Sequence, residues 1–530
     1  MCSLRHVFLI CVWVLFYCAS LQADVDRPNI VIIICDDLND SISGMGGHHQ
    51  ALTPNIDRLS DRGVRFLNAA SNSPICGPSR ASLWSGLHPV TTGLFGGKQH
   101  HNRWYNNPVL KNKPTLFETM SKSGYRNFST GKIHHNGHEQ ISIFENLDGF
   151  SGFGSHPNFG PLPNDGLPKN KRHGVLPPWW PDSHRNDGGV WGDGFGPIQD
   201  VSKYGSGYGW SLFYSGLVWN YREGHNRDLM PDEVHAVEAV EFLSKKHSKP
   251  YLLTVGFSRP HSPWYAPQEF FDLYPLESVQ LTPILEDDSL DCAKILTQDR
   301  DISEPWGWYK YERIMRNGGE AQLRKWTQAY LACVSFVDAQ VGKILDAIQL
   351  RDDADNTLVI FTSDHGYHMG EKEYVFKFSP WEESVRIPLI VSGPGIAKGL
   401  ECSSPVSLID IYPTCMDYGS AQTSYGLDGF SLRELLEDPV AGVWAGPSIS
   451  VSVTGSKIPV QTNQPAKATD QHFSLRSKHF RYIRCRNGEE EFYDHRVDPN
   501  EWTNQINNPN YRVEIHGFQS GLSRILDETK

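Results

Sequence analysis

A chain of 530 residues that is 39% hydrophobic and 21% charged has ample material for a large core plus one small additional domain, and it is too apolar for disorder. Its formal charge of −12 excludes a nucleic-acid partner held by a basic surface, while leaving room for a local cationic pocket that takes an anion.

Met1-Cys2-Ser3-Leu4-Arg5-His6 precedes the apolar run Val7 to Ala19, and Leu21-Gln22-Ala23 offers small-residue cleavage before Asp24. This pattern predicts a signal peptide over 1–23 and an exported protein, periplasmic, secreted or lysosomal-type according to host. The run is too short for a spanning helix, and no later stretch approaches the roughly 20 apolar residues a crossing needs, so no stable membrane span is expected. Three of the ten cysteines lie in this leader. The remaining Cys35, Cys76, Cys292, Cys333, Cys402, Cys415 and Cys485 fit one special cysteine plus up to three disulfides, or only one or two, and none has a zinc spacing.

Asn29 to Ile34 is a nearly continuous β-branched run, the pattern of a strand buried on both faces of a parallel sheet, and it leads straight into Asp36-Asp37. Asn55 to Gly63 and Thr115 to Gly124 carry helical periodicity. Between these two lies Ser73-Pro74-Ile75-Cys76-Gly77-Pro78-Ser79-Arg80-Ala81-Ser82, in which a lone cysteine stands ahead of a predicted Pro-Ser-Arg turn. Taken alone, those residues also suit a buried cysteine beside a turn. Residues 150–222 are rich in Gly, Pro, Trp and Asn, as in Pro177-Pro178-Trp179-Trp180-Pro181 and Trp191-Gly192-Asp193-Gly194, and are expected to form long loops over a pocket. Pro231 to Lys246 reads as a helix, Tyr251 to Phe257 as a strand entering Arg259-Pro260-His261, Leu323 to Leu350 as a long helix, and Thr357 to Thr362 as a strand entering Asp364-His365-Gly366. Past about Gly446 the pattern changes to short strands at Ile449 to Val453, Phe473 to Arg476, Phe480 to Arg484 and Glu491 to Tyr493, with a hairpin at Gly488.

Alternating strands and helices imply an α/β sandwich. In such sheets ligands collect at the carboxyl ends of the strands, which would gather Asp36, Asp37, His261, Asp364 and His365. The aspartates supply hard oxygen ligands, so the expected cation is Ca²⁺, with Mg²⁺ as the other candidate.

The Cys76 motif resembles the signature of the formylglycine-dependent type I sulfatases. Cys35-Asp36-Asp37-Leu38, Gly131-Lys132-Ile133-His134-His135, Arg259-Pro260-His261 and Ser363-Asp364-His365-Gly366 followed by Lys377 are similar to the iduronate-2-sulfatase-like branch of the alkaline phosphatase superfamily. That resemblance implies a three-layer α/β/α sandwich with a mostly parallel mixed sheet over 24–445, and a small C-terminal α+β subdomain with an antiparallel sheet over 446–530. Phe492-Tyr493-Asp494-His495 and Asp498-Pro499-Asn500-Glu501 also match the sulfatase tail.

The resemblance further implies that a maturation enzyme converts Cys76 to formylglycine, whose hydrate attacks sulfur in a sulfate ester. A divalent ion would be bound by Asp36, Asp37, Asp364, His365 and the residue at Cys76; many sulfatases have Asn where this chain has His365. Arg80 would hold the hydrate, and Lys132 the hydrate or the sulfate. His135, or alternatively His134, would take the proton that lets the aldehyde re-form, while His261 and Lys377 would bind substrate and protonate or stabilise the leaving alkoxide. The implied activity is hydrolysis of sulfate monoesters on a sulfated saccharide. The alternatives are a phosphomonoester or phosphonate-ester hydrolase of the same superfamily and a non-catalytic binder of sulfated glycans. Asn39-Asp40-Ser41 and Asn127-Phe128-Ser129 match glycosylation acceptors, and His48, His49, His100 and His101 receive only surface or core roles.

Overall fold

The computed structural model describes residues 27–96, 106–135, 149–151, 157–161, 194–200, 208–212, 218–223, 225–460 and 464–528. The leader, Pro177 to Pro181, Trp191 to Asp193, His100 and His101 lie outside the described residues. Among the described residues no helix is long and apolar enough to cross a membrane.

The β-branched run forms β1 (Asn29–Asp36), in which every residue is buried. It is central in an eight-stranded sheet with β2 (Gly63–Ala70), β3 (Arg126–Gly131), β4 (Phe150–Ser151), β5 (Tyr251–Pro260), β6 (Thr357–Ser363), β7 (Leu389–Ser392) and β8 (Leu400–Ser407), in the order β8-β2-β7-β6-β1-β5-β3-β4. All neighbours are parallel except β7, which runs against both β6 and β2.

Because side chains alternate across a strand, the apolar run of β1 feeds two cores at once. Val31 and Ile33 join Val255, Phe361 and two helices, α4 (Pro231–Leu243) and α5 (Gly319–Gln349), on one face. Ile30, Ile32 and Ile34 join Leu252, Ile360 and the helices α2 (Cys76–Ser85), α3 (Leu116–Lys122) and α6 (Ile411–Tyr418) on the other. The first helix, α1 (Pro54–Ser60), packs with the α5 side through Ile56 and Leu59. In α5 the buried Leu323, Trp326, Tyr330, Cys333 and Val337 recur at three- and four-residue steps, the stripe that seats a helix on a sheet. The result is the expected three-layer sandwich.

The tail forms the antiparallel sheet β9 (Ser450–Thr454), β10 (His472–Arg476), β11 (Phe480–Arg484) and β12 (Glu490–Asp494), with Gly488 at φ 94° in the last hairpin. Ile515, Phe518 and Leu522 of α7 (Arg512–Glu528) fill its core with Phe473, Tyr482 and Phe492. The sheet is fastened to the segment ahead of Cys76, where Val453 N–H donates to Asn72 O at 3.0 Å and Asn72 Nδ2 donates to Val451 O at 3.2 Å.

Three expectations are corrected. The predicted turn at Pro78-Ser79-Arg80 is the first half of α2; proline is accommodated there because first-turn N–H groups have no intrahelical acceptor. Region 150–222 carries short strands among its described parts, with Phe195–Ile198 pairing in parallel with Trp264–Pro267 and Tyr208–Leu212 pairing with Pro157–Pro161 and Val218–Trp219. The seven cysteines of the described chain are all buried free thiols, not members of up to three bridges. Six of them serve as small apolar groups in the interior, which burial favours for an uncharged thiol.

Candidate functional site

The register of the sheet assembles the site. Cys35 pairs with Ser363 and Asp36 with Pro260, so Asp36-Asp37, His261 and Asp364-His365 all leave the sheet at the carboxyl edge of three adjacent strands. In an extended strand Asp36 and Asp37 would point to opposite faces. Asp37 instead adopts a left-handed conformation at φ 65°, and both carboxylates enter one group with Cys76 and His365 whose ligand atoms lie within 4.8 Å of one another. Helix α2 brings in Cys76 as its first residue and Arg80 one turn later.

Cys76 Sγ lies 3.1 Å from Lys377 Nζ, 3.3 Å from His365 Nε2 and 3.4 Å from Asp36 Oδ1. Lys377 Nζ pairs with Asp37 Oδ1 at 2.6 Å, and Lys132 pairs with Asp36. Arg80 Nε donates to Asp364 Oδ2 at 2.9 Å, its Nη2 stands 3.6 Å from Asp36, and its Nη1 donates to the carbonyls of Lys132 and Ile133. Asp364 Oδ1 accepts from the N–H groups of Asp37 and His365 and lies 3.6 Å from His365 Nε2. Three cations, Arg80, Lys132 and Lys377, therefore face three carboxylates with almost no exposure to solvent.

Burial dominates every titration here, and the neighbours decide its outcome. Burial and Asp36 oppose ionisation of Cys76, yet Lys132, Lys377 and His365 outweigh them and hold the thiol below its usual range. The other six thiols are all pushed upward, burial being the first cause in each. Burial lowers His365, but Asp364 and Cys76 bring it up to about 9, which makes its Nε2–H a donor toward the sulfur in this arrangement. Burial would raise Asp36, but Lys132, His261, Arg80 and Lys377 draw it well below the carboxylate range. Asp37 goes the other way: burial lifts it to about 8, with Lys377 pulling down and Asp36 pushing up.

His261 is half-buried at the end of β5, where its backbone carbonyl accepts from Arg259 Nη1 at 2.9 Å and its imidazole acts on Asp36. In the segment after β3, Lys132 enters the charge cluster, His134 is buried at 3% exposure and His135 is half-buried. The structure thus groups Asp36, Asp37, Cys76, Arg80, Lys132, Asp364, His365 and Lys377 through direct contacts, and sets His261 beside them. His48 is a core histidine whose Nε2 meets Gln280 O at 2.8 Å, and His49 stacks on it.

Neither glycosylation acceptor is available in this fold. Asn39 is 3% exposed, its Nδ2 donating to Tyr367 O and its Oδ1 accepting from Ser41 N–H, with Tyr330 Oη 3.0 Å away. Asn127 is 1% exposed on β3, and its Nδ2 donates to Phe117 O. Sequence reasoning also missed Ser79, whose hydroxyl donates to Asp364 O at 2.5 Å and ties α2 to β6 from inside the Cys76 motif.

A hard divalent cation fits these residues. Asp37 Oδ2 is buried with no hydrogen-bond partner, and two adjacent carboxylates share a fully buried site with a third nearby.

The α/β sandwich thus gathers carboxylates, cations and one lowered thiol at the carboxyl edge of its strands, a set of groups suited to binding and polarising an anionic ester. A family model described as Sulfatase matches residues 28–421, and one described as "N-sulphoglucosamine sulphohydrolase, C-terminal" matches residues 370–527. The chain belongs to the sulfatase family, sulfuric ester hydrolases of the alkaline phosphatase superfamily. A sulfatase of Formosa agariphila is 33% identical over 512 residues, covering 95% of this chain and 88% of that protein. Iduronate 2-sulfatase of Mus musculus is 30% identical over 398 residues, covering 72% of this chain and 63% of that protein. A solved structure of a 2-O GAG sulfatase has the same fold, with TM-score 0.65 at 21% identity over 95% of this chain and 92% of that one.

Proposed function

We propose that this sulfatase hydrolyses sulfate monoesters on a sulfated carbohydrate, after a maturation enzyme has converted Cys76 to formylglycine. One observation carries the proposal: Cys76 alone among the seven buried thiols is lowered, with Lys377 Nζ at 3.1 Å and His365 Nε2 at 3.3 Å aimed at its sulfur. In this structure the sulfur stands for the hydrate oxygen of the matured residue.

Asp36, Asp37 and Asp364, with His365 beside them, would hold Ca²⁺ or Mg²⁺, which would supply charge to polarise a sulfate oxygen and the hydrate. The matured residue would supply the nucleophilic oxygen. Lys377, 3.1 Å from the sulfur, and Lys132, paired with Asp36 and electrostatically coupled to Cys76, would take the charge that builds on the sulfate oxygens. Arg80, locked between Asp364 and the carbonyls of Lys132 and Ile133, is a fixed positive charge that orients the metal-binding carboxylates and the hydrate. His135 would remove the proton that lets the aldehyde re-form, and His261, with Lys377, would give a proton to the leaving alkoxide. Residues 1–23 would direct export, 24–445 would carry the chemistry, and 446–530 would form the C-terminal subdomain.

The test is side-by-side turnover of aryl sulfate and aryl phosphate by protein co-expressed with a formylglycine-generating enzyme. Sulfate release should dominate, and the peptide spanning Cys76 should carry the mass of the aldehyde. Predominant phosphate turnover overturns the proposal in favour of a phosphohydrolase; binding of sulfated oligosaccharides without release, on an aldehyde-bearing protein, overturns it in favour of a binder. A panel of sulfated saccharides then identifies the sugar and the ester position.

A further inference from the structure

We infer that Tyr330 of α5 is a positioning residue for the metal-binding carboxylates, acting through the backbone of Asp37; this rests on the proposed cation site. Tyr330 is 1% exposed, and its hydroxyl sits at the junction of three groups. It stands 2.8 Å from Asp37 O and 3.0 Å from Asn39 Oδ1, and it accepts from Asn39 N–H at 3.0 Å. One O–H thereby bridges the carbonyl before Leu38 and the amide after it.

The residue it holds is the one whose conformation makes the site. Left-handed backbone is disfavoured for a residue with a Cβ, and Asp37 needs it so that its carboxylate joins that of Asp36. The turn is pinned on both sides: Asp37 N–H is received by Asp364 Oδ1 at 3.3 Å, Leu38 N–H by Ser363 Oγ at 3.0 Å, and Asp37 O faces the tyrosine. Two of these three ties come from β6 and its exit, and only Tyr330 comes from the helical layer.

Tyr330 is itself held by aromatic packing that reaches the other loops of the site. Trp264, three residues after His261, meets Tyr330 edge-on at 5.7 Å and Tyr367 at 5.5 Å, and Tyr367 stacks on Tyr330 at 6.1 Å. The carbonyl of Tyr367 accepts from Asn39 Nδ2 at 2.9 Å. The loops after β1, β5 and β6 therefore converge on one ring and its hydroxyl.

The experiment compares chelator-treated wild type, Tyr330→Phe and Tyr274→Phe by calorimetric titration with CaCl₂ and MgCl₂ alone. Tyr274 is the control: its buried hydroxyl meets Ser335 Oγ of the same helix at 2.6 Å and accepts from Leu52 N–H at 3.0 Å, with no contact to Asp37. Tyr330→Phe is expected to bind the cation about ten-fold more weakly, the order of effect of leaving one buried carbonyl unpaired, and Tyr274→Phe is expected to match wild type. On the matured enzyme, kcat of Tyr330→Phe should recover as cation is raised, which a purely structural defect would not do. Wild-type affinity in Tyr330→Phe, or equal weakening in both variants, overturns the inference. Failure of wild type to take up either cation overturns the metal site itself and the inference with it. If Tyr330→Phe does not fold, Asn39→Ala, which keeps the backbone N–H but removes the side-chain oxygen that competes with Asp37 O for the same hydroxyl proton, should bind the cation no more weakly than wild type, and a weakening of about ten-fold overturns the inference.

Discussion

Two buried charge clusters in this molecule have the same kinds of residue and opposite chemistry. One is the site around Asp36, Asp37 and Cys76; the other joins Glu382, His495 and Glu501, whose ligand atoms are also close enough to hold a metal. In the second cluster the oxygens are already taken. Arg481 pairs with both Glu382 and Glu501, Arg476 Nε lies 3.4 Å from Glu382 Oε2, and His495 Nε2 lies 2.9 Å from Glu501 Oε1. Burial would raise Glu501, but Arg481 and His495 hold it down to about 2, whereas Asp37 is lifted to about 8. Donor type is thus a poor guide to a metal site; Asp37 Oδ2 has no hydrogen bond and its ion pairs go to Oδ1, whereas Glu382 Oε2, also without a hydrogen bond, is ion-paired to Arg481 and Arg476. The second cluster clamps the segment after Lys377 to the C-terminal sheet.

The contrast is broken most severely at Cys76, the proposed nucleophile. Cys76→Ala should lower kcat/KM on an aryl sulfate by at least roughly a thousand-fold while leaving the melting temperature nearly unchanged, because the cluster loses its reacting atom and no packing keystone. A near-normal rate would remove Cys76 from the chemistry. In the clamp the pattern should reverse: Arg481→Met strands two buried carboxylates and should cost about 3–5 kcal/mol in denaturant unfolding, with cation affinity retained in the protein that stays folded.

Cation removal sharpens the difference at intermediate size. Chelation should lower stability by about 2.7 kcal/mol relative to cation at a hundred-fold excess over Kd, and Asp37→Asn should abolish that difference. A chelator effect that survives Asp37→Asn but disappears in Glu501→Gln would move the metal to the clamp.

Acid gives the most gradual effect. Burial lowers His495 to about 4 from its ordinary value of 6.5, so the unfolded chain takes up a proton first, and stability falls as pH drops from 6.5 toward 4. The slope from this one group approaches about 1.4 kcal/mol per pH unit inside that window. His495→Gln should flatten it in pH-dependent denaturant titrations. Glu501, also lowered, contributes stability that is present above 4.5 and lost toward about 2; Glu501→Gln should remove that acid-end loss and, by deleting a group that raises His495, extend the histidine window to lower pH. A slope unchanged by His495→Gln would show that the proton is taken up elsewhere.

Much of the architecture was legible from short-range patterns. The continuous apolar run at 30–34 and its counterparts at 251–257 and 357–362 are strands covered on both faces, and the polar residues that follow them emerge at one edge because parallel strands share a direction. The helices at Pro231–Leu243 and Gly319–Gln349 announce themselves by their apolar stripe. The chain could not announce that Pro78 lies inside a helix, or that its thiols stay unpaired, since both depend on what surrounds them. Tyr330 reads as one more core aromatic in that stripe, and only its hydroxyl against Asp37 O distinguishes it.

What the amino-acid order determined by itself was the set of chemical groups and the edge of the sheet at which they emerge, because strand period and motif spacing act over a few residues. Only the tertiary structure decided which of those groups remain unsatisfied. Asp37 keeps a bare oxygen and Glu501 does not because partners more than three hundred positions away in one case, and twenty in the other, do or do not reach it. The electrostatics of a buried group are set by such neighbours in space, and no local string of residues encodes them.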